Sequence, residues 1–230
     1  MVAVSKNKTS QQTELSALTL KAALEQLPAL ATAKFVKTSE SVDISLHLGV
    51  DPRKMTVRGV CRLPNGLGKQ VRVAVFAAQD DAKAAEKAGA NKVGMEDLAE
   101  QIQKGEMPYD VVIAHPDAMG IVGKLAKKLG PKGLMPNPKL GTVTKDIADA
   151  VTSALAGQAK FKLDKAGIVH CSIGRVDFKP EQLEENIMTL LQTIKKLKPA
   201  AAKGQYMQKL YITTTMADKA LPVDISKLVI

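Results

Sequence analysis

Apolar positions recur along this chain with two periods, and the switches between them divide it. Residues 41–48 read Ser-Val-Asp-Ile-Ser-Leu-His-Leu, so Val42, Ile44, Leu46 and Leu48 share one face and Ser41, Asp43, Ser45 and His47 the other. That strict alternation predicts a half-buried antiparallel strand. Upstream, Leu15, Leu18, Ala22, Leu24 and Leu27 follow helical spacing, and Pro28 is expected to end or kink that helix. Met55 to Leu63 reads as a second strand, broken off by the turn Pro64-Asn-Gly-Leu-Gly68.

Beyond that turn the pattern changes. Val71 to Phe76 is an almost wholly apolar strand, followed by an alanine-rich helix with Asp80 or Asp81 as its expected cap and Gly89 as its stop. A short strand from Asn91 to Gly94, a helix from Met95 to about Lys104 and a buried strand from Asp110 to Ala114 follow. Pro116 opens a helix carrying Lys124, Lys127 and Lys128, and Lys145 to Ala156 forms another. This β-α succession implies parallel strands with helices on both faces, a three-layer unit.

From Gln158 the earlier style returns, with strands expected at Ala159–Leu163, Ile168–Ile173 and Lys209–Thr215, completing the first sheet. Between them Leu183, Ile187, Leu190, Leu191, Ile194 and Leu197 share one face of a helix from Pro180 to Lys198. Its early Glu181, Glu184 and Glu185 and its late Lys195, Lys196 and Lys198 suit the helix dipole, which gives those lysines a structural role. The reading is therefore one domain interrupted by another: residues 1–66 and 158–230 around residues 67–157. Glycines at both crossings, near Gly66 to Gly68 and at Gly157, predict a hinge.

The most unusual segment is Leu129-Gly-Pro-Lys-Gly-Leu-Met-Pro-Asn-Pro-Lys-Leu-Gly-Thr-Val-Thr144, too rich in glycine and proline for helix or strand. From Ala118 to Lys145 the chain carries six lysines and no acid, so this stiff loop is purely cationic. The whole chain has a formal net charge of +10, which points to a polyanionic partner. No apolar run is long enough to span a bilayer, and the polar start, with Lys6 and Lys8, reads as a solvated tail to Thr13 without a secretion signal, so the expected compartment is the cytoplasm. Cys61 and Cys171 lie far apart among apolar residues and are expected to be buried free thiols. Few aromatics and no tryptophan argue against a base-stacking platform.

Enzyme fingerprints are missing. Asn65-Gly-Leu-Gly-Lys-Gln70 resembles the tail of a phosphate-binding P-loop, but it lacks the first glycine and the hydroxyl residue after lysine and precedes its strand. Gly120-Ile-Val-Gly123 is too short for a dinucleotide loop, and helix packing is the expected reason for its glycines. His47, His115 and His170 are scattered, without metal-ligand spacing around any of them. His115-Pro116-Asp117 reads as a turn entering a helix. Neither metal nor cofactor is expected. Arg53, Lys54 and Arg58 beside one strand, Lys160, Lys162 and Lys165 beside another and Lys34 near a third could gather phosphate-directed cations on one sheet edge, with Thr213 to Met216 adding hydroxyl donors.

Several ordered stretches carry a resemblance: Ala31-Thr-Ala-Lys-Phe35, Leu48-Gly-Val-Asp-Pro-Arg53, Val57-Arg-Gly59, Gly94-Met-Glu-Asp-Leu98, Lys104-Gly-Glu-Met107, Asp164-Lys165, Thr213 to Met216, and the loop from Leu129 to Thr144. Together they resemble the bacterial large-subunit ribosomal protein L-one family along nearly the whole chain. The resemblance implies a non-enzymatic, two-domain α/β protein, monomeric when free: a discontinuous RNA-binding domain with a mainly antiparallel sheet, interrupted by a Rossmann-like domain on a hinge. It also implies large-subunit rRNA as partner in a mobile stalk of the ribosome, contact with exit-site tRNA as deacylated tRNA leaves, and translational repression of its own operon mRNA.

Carried onto matching positions, the implied RNA-binding residues are Lys34, Phe35, Glu40, Arg53, Asp164, Lys165, His170, Thr215 and Met216, with Lys132 and Lys139 as possible tRNA or secondary RNA contacts. The chain departs from the family pattern at Lys37-Thr-Ser39, which looks inserted, and at Ala217, where the family usually has glycine. The segment after Arg53 is also shorter than in many relatives.

Overall fold

The structure is a computed structural model that describes residues 18–31, 39–53, 55–105, 108–199, 202 and 204–225. The expected tail, Leu15, Lys34, Phe35, Lys37, Thr38 and Lys54 lie outside the described residues.

Helix α1 (Leu20–Leu30) runs two residues past Pro28 before Ala31 closes it by donating to the Leu27 carbonyl. Strand β1 (Ser41–Leu48) has the alternating burial its sequence predicts, and β2 is Arg58–Arg62. The inner unit then runs β3 (Val73–Phe76), α2 (Gln79–Lys87), β4 (Lys92–Gly94), α3 (Glu96–Lys104), β5 (Val111–Ala114), α4 (Met119–Lys124), α5 (Ala126–Leu129) and α6 (Ile147–Leu155). The chain returns through β6 (Gln158–Lys162), β7 (Ile168–Arg175), α7 (Pro180–Lys196), β8 (Met207–Thr214) and β9 (Leu221–Val223).

The terminal segments build a four-stranded antiparallel sheet in the order β7-β1-β8-β9. Contrary to the expectation from sequence, strand β6 does not complete it. It pairs with β2 in a separate ribbon, joined to β7 by the single bridge Leu163↔Val169. Helices α1 and α7 cover one face, and their Leu24, Leu27, Leu183, Ile187 and Ile194 share a core with Val42, Ile44, Leu46, Ile173 and Ile212. At about 25 cal/mol per Å² of apolar surface removed from water, this core is the main force holding two distant chain segments in one domain.

The inner unit has parallel pairing in the order β4-β3-β5, a three-layer α/β arrangement. Because side chains alternate across β3, Ala74 and Phe76 pack with α3, α4 and α5, while Val73 and Val75 pack with α2 and α6. The fold is thus mixed α/β with two domains.

Three further expectations need correction. Asp80 and Asp81 do not cap α2: Ala78 holds that position without a side-chain bond, and the two aspartates fall inside the first turn. The helix expected after Pro116 is a single tight turn over Pro116–Ala118 followed by α4 and α5. Packing does not explain Gly120 or Gly123, since a Cβ at either would meet nothing within 4 Å. Among the described residues no helix is long and apolar enough to cross a membrane.

The two crossings lie against each other. Gly66 (φ +65°) and Gly157 (φ +95°) adopt the left-handed region that favours glycine. The fully buried Asn186 of α7 ties the first crossing down: its amide donates to the carbonyls of Gly66 (3.1 Å) and Ile173 (2.8 Å), and its Oδ1 accepts from Asn65 N–H (3.1 Å).

Candidate nucleic-acid interface

Glu40, Thr215 and Met216 on one side and Arg53, Asp164 and Lys165 on the other form two groups at opposite ends of the terminal sheet. At one end β1 begins, β7 ends and β8 ends, with Ser41 opposite Arg175 and Val42 opposite Thr214. Here the Met216 N–H donates to Glu40 Oε2 (3.3 Å), and both the N–H (3.1 Å) and hydroxyl (3.2 Å) of Thr215 donate to the Ser41 carbonyl. Glu40 is buried, Thr215 is exposed, and Met216 keeps 47% of its surface exposed. The neighbouring Ser39 hydroxyl is buried without a hydrogen-bond partner among the described residues. A hydroxyl that spends its proton on Ser41 and a carboxylate oxygen opposite the one bonded to Met216 are both hydrogen-bond acceptors.

At the other end, Asp164 and Lys165 occupy the tight turn between β6 and β7, where Asp164 N–H donates to the Ile168 carbonyl (2.9 Å) and Gly167 N–H to that of Asp164 (3.0 Å). Arg53 and Lys165 line one hollow with Pro52; Asp164, Lys165 and Lys162 line the next. Arg53 is fixed by its N–H, which donates to Asp51 Oδ1 (3.0 Å). The length of β1 separates the ends by roughly 24 Å at about 3.4 Å per residue.

His170 lies between them, its Nδ1 3.0 Å from the Ser45 hydroxyl on the sheet face opposite the helices. Ser172, Asp43, His47, Lys209, Tyr211 and Thr213 fall on the same face by alternation, each half-buried or exposed. Sequence reasoning did not single out Tyr211 or Ser172. Their signal was available in the alternation of β7 and β8, read as a surface rather than as a core.

Of the cations expected along one edge, Arg58, Lys160 and Lys162 lie on the β2–β6 ribbon, while Arg53 and Lys165 lie together beyond its end. Arg58 stands directly opposite Lys162, and Lys160 opposite Val60, all on the outward face. The loop 129–144 faces this ribbon across a cleft of about 450 Å³ lined by Arg58, Lys160, Lys162, His170, Met135 and Asn137. The loop is stapled internally: the Thr142 hydroxyl accepts from Asn137 N–H (2.7 Å) and donates to its carbonyl (3.1 Å), and Val143 bridges Ala114 at the sheet edge. Lys132 is exposed on this loop; Lys139 sits in its tight turn Pro138–Leu140.

Burial holds the Lys160 ammonium below its ordinary pKa, partly offset by the Asp110 carboxylate. Burial also acts to raise Asp110, but bonds from Arg72 N–H and Lys69 and the two positive charges outweigh it, so its carboxyl sits below the usual range.

Enzyme-like features have local explanations. The His115 ring accepts from Asp117 N–H (3.4 Å) and so caps the turn it precedes. Cys61 and Cys171 are buried free thiols, and Cys61 Sγ lies 3.4 Å from the Thr193 hydroxyl. Among the described residues no group of His, Cys, Asp and Glu converges as a metal site.

Against known proteins, the ribosomal protein L1p/L10e family matches residues 27–217. The chain belongs to this family. It is 55% identical over 208 residues to the large ribosomal subunit protein uL1 of Alkalilimnicola ehrlichii, covering 90% of this chain and 88% of the relative. The proteins of that name from Vibrio vulnificus and Thioalkalivibrio sulfidiphilus are 57% and 59% identical, covering 84% and 79% of this chain and 83% and 79% of their own lengths. The L1p/L10e match runs across both domains and both crossings, and the family is one of ribosomal proteins, not enzymes.

Proposed function

We propose that this chain is a constituent of the large ribosomal subunit that binds folded rRNA on its terminal domain. The relatives' shared name supports the ribosomal role. The observation that carries the RNA surface is the convergence of Glu40, Thr215 and Met216, brought together from opposite ends of the chain. An acid, a hydroxyl acceptor and an exposed thioether suit sugar hydroxyls and base edges, while Arg53 and Lys165 suit phosphates. Two such groups roughly 24 Å apart by strand length favour a folded RNA over a short linear stretch.

The division at residues 66 and 157 then has a purpose. The terminal domain holds the rRNA, and the inner domain swings about the paired glycines with its cationic loop, Lys132 and Lys139 included, as the element that meets tRNA. We extend the reading to a mobile stalk near the exit site that assists release of deacylated tRNA, and to repression of the chain's own operon mRNA through an RNA that imitates the rRNA site. The protein is read as a free monomer before assembly into cytoplasmic ribosomes.

The test is gel-shift binding to the stalk fragment of large-subunit rRNA against a scrambled hairpin at two salt concentrations. Preference for the stalk RNA should survive the higher salt, and Thr215→Val or Met216→Asp should weaken it far more than Lys132→Ala. Equal, salt-erased binding to both RNAs would overturn the reading.

A further inference from the structure

We propose that a phosphate group binds between the β2–β6 ribbon and the loop 129–144 and holds the two domains together. This site lies apart from the Glu40–Met216 end of the sheet; it shares His170 with the RNA-contact set above and Lys162 with the hollow beside Lys165, but its cations stand independently of that reading.

Three observations converge on it. Arg58 and Lys162 are directly opposite on paired strands, an arrangement of like charges that destabilises a sheet unless something neutralises it. Among the described residues no carboxylate lies within ion-pair distance of Arg58, Lys160 or Lys162. Lys160 is half-buried, with only the more distant Asp110 to offset its loss of water. The facing wall supplies no acid either: Gly133, Met135, Asn137 and Leu140 line it, within a segment whose formal charges are all positive.

Closing the cationic ribbon against a wall that offers no acid strips water from its charges without replacing it, and a bound anion offsets that cost. The donors define its class. A guanidinium fork and two ammonium groups on residues lining one cleft match the oxygens of a phosphate, which accepts several charge-assisted bonds at once. A cleft of about 450 Å³ has room for a phosphate together with the group it is esterified to. Its source is a nucleic-acid backbone or a small free phosphate, and the chemistry at Arg58, Lys160 and Lys162 is the same for both.

The experiment uses the full chain carrying Lys87→Cys and Gln192→Cys for a fluorophore pair, one position in each domain and both exposed. The native thiols are buried, so labelling is confined to the introduced ones. Energy transfer is followed while sodium phosphate, sodium pyrophosphate or a hexameric single-stranded RNA is added, against sodium chloride at equal ionic strength. Pyrophosphate or RNA should raise transfer where chloride does not, and Arg58→Gln with Lys162→Gln should move the midpoint at least about tenfold, as expected for losing charge-assisted bonds. Lys160→Gln should act in the same direction, and Lys179→Gln, outside the cleft, should leave the midpoint in place. A response to pyrophosphate identifies a free anion; a response to RNA alone identifies a backbone phosphate. If every addition tracks chloride, or the double variant responds like the parent while melting at the same temperature, the proposal fails.

Discussion

A Cβ on Gly157 would stand 2.9 Å from the Cα of Gly66 and 2.7 Å from the Leu67 nitrogen, so the two segments joining the domains touch at backbone level. They therefore meet at a single junction rather than running as two separate tethers. Gly157 also has φ +95°, which costs a residue with a Cβ about 1–2 kcal/mol before any clash. Gly157→Ala should lower stability by about 2–3 kcal/mol in urea unfolding, strain and steric displacement both contributing. The same variant should narrow the range of interdomain distances seen by energy transfer. A variant as stable as the parent would mean that the crossings separate freely in solution.

Asn186 joins that junction to the core. Its carboxamide serves Asn65 N–H, the Gly66 carbonyl and the Ile173 carbonyl from a fully buried position, so truncation leaves three backbone groups without this partner. Asn186→Ala should cost about 2–4 kcal/mol, more than removal of a single hydrogen bond, because unsatisfied buried groups carry their desolvation penalty. The reduced stability should appear as a lower midpoint in thermal unfolding. Asn186→Asp should also destabilise, since a carboxylate cannot donate to the two carbonyls.

Much of this architecture is written in local periodicity. The alternation of Val42, Ile44, Leu46 and Leu48 defines β1, and the buried runs Val73–Phe76 and Val111–Ala114 with intervening helical patterns imply parallel pairing. Pairing partners are less legible, because alternation places a side chain on a face without naming the neighbouring strand. That is why β6 was expected in the main sheet but pairs with β2. Strand β9 escaped notice because it is three residues long with Pro222 at its centre, which suits only an edge. For the candidate site, the residue identities at Glu40, Thr215 and Met216 came from resemblance to a family. Their adjacency depends on a hydrogen bond between residues 176 apart in sequence, beyond the reach of any local pattern.

Both native thiols should resist alkylation in the folded protein. Burial pushes Cys171 up to about 12, with smaller contributions from the neighbouring Cys61 and Asp43, and burial also raises Cys61 despite its bond with Thr193. The thiolate is the reactive form, so its scarcity adds to steric protection. Iodoacetamide at pH 8 should modify neither cysteine in buffer and both in denaturant. The linked effect on stability has a defined sign. Because the folded Cys171 value lies above the ordinary 9.0, the unfolded chain releases its proton first as pH rises. The associated stability is fully present below about pH 9 and is lost as pH climbs from 9 towards 12.

The two ends of the terminal sheet should differ in how salt changes the effect of a mutation. Arg53 and Lys165 can act on RNA by displacing counterions from phosphates, so Lys165→Gln should flatten the plot of log affinity against log salt by roughly 0.7–0.9 for each phosphate no longer neutralised. Thr215 offers a hydroxyl already oriented by its donation to the Ser41 carbonyl, and Glu40 offers a carboxylate. Neither releases a counterion from a phosphate. Thr215→Val and Glu40→Gln should therefore lower affinity for the folded RNA by about 1–3 kcal/mol at every salt concentration and leave the slope unchanged, as expected when hydrogen bonds to sugar or base are removed. Replacing 2′-hydroxyls of the folded RNA by hydrogen one at a time should, at one position, reproduce the Thr215→Val loss and add little to it in that variant. A change of slope in Thr215→Val equal to that in Lys165→Gln would assign both ends to phosphate binding and remove the distinction between them.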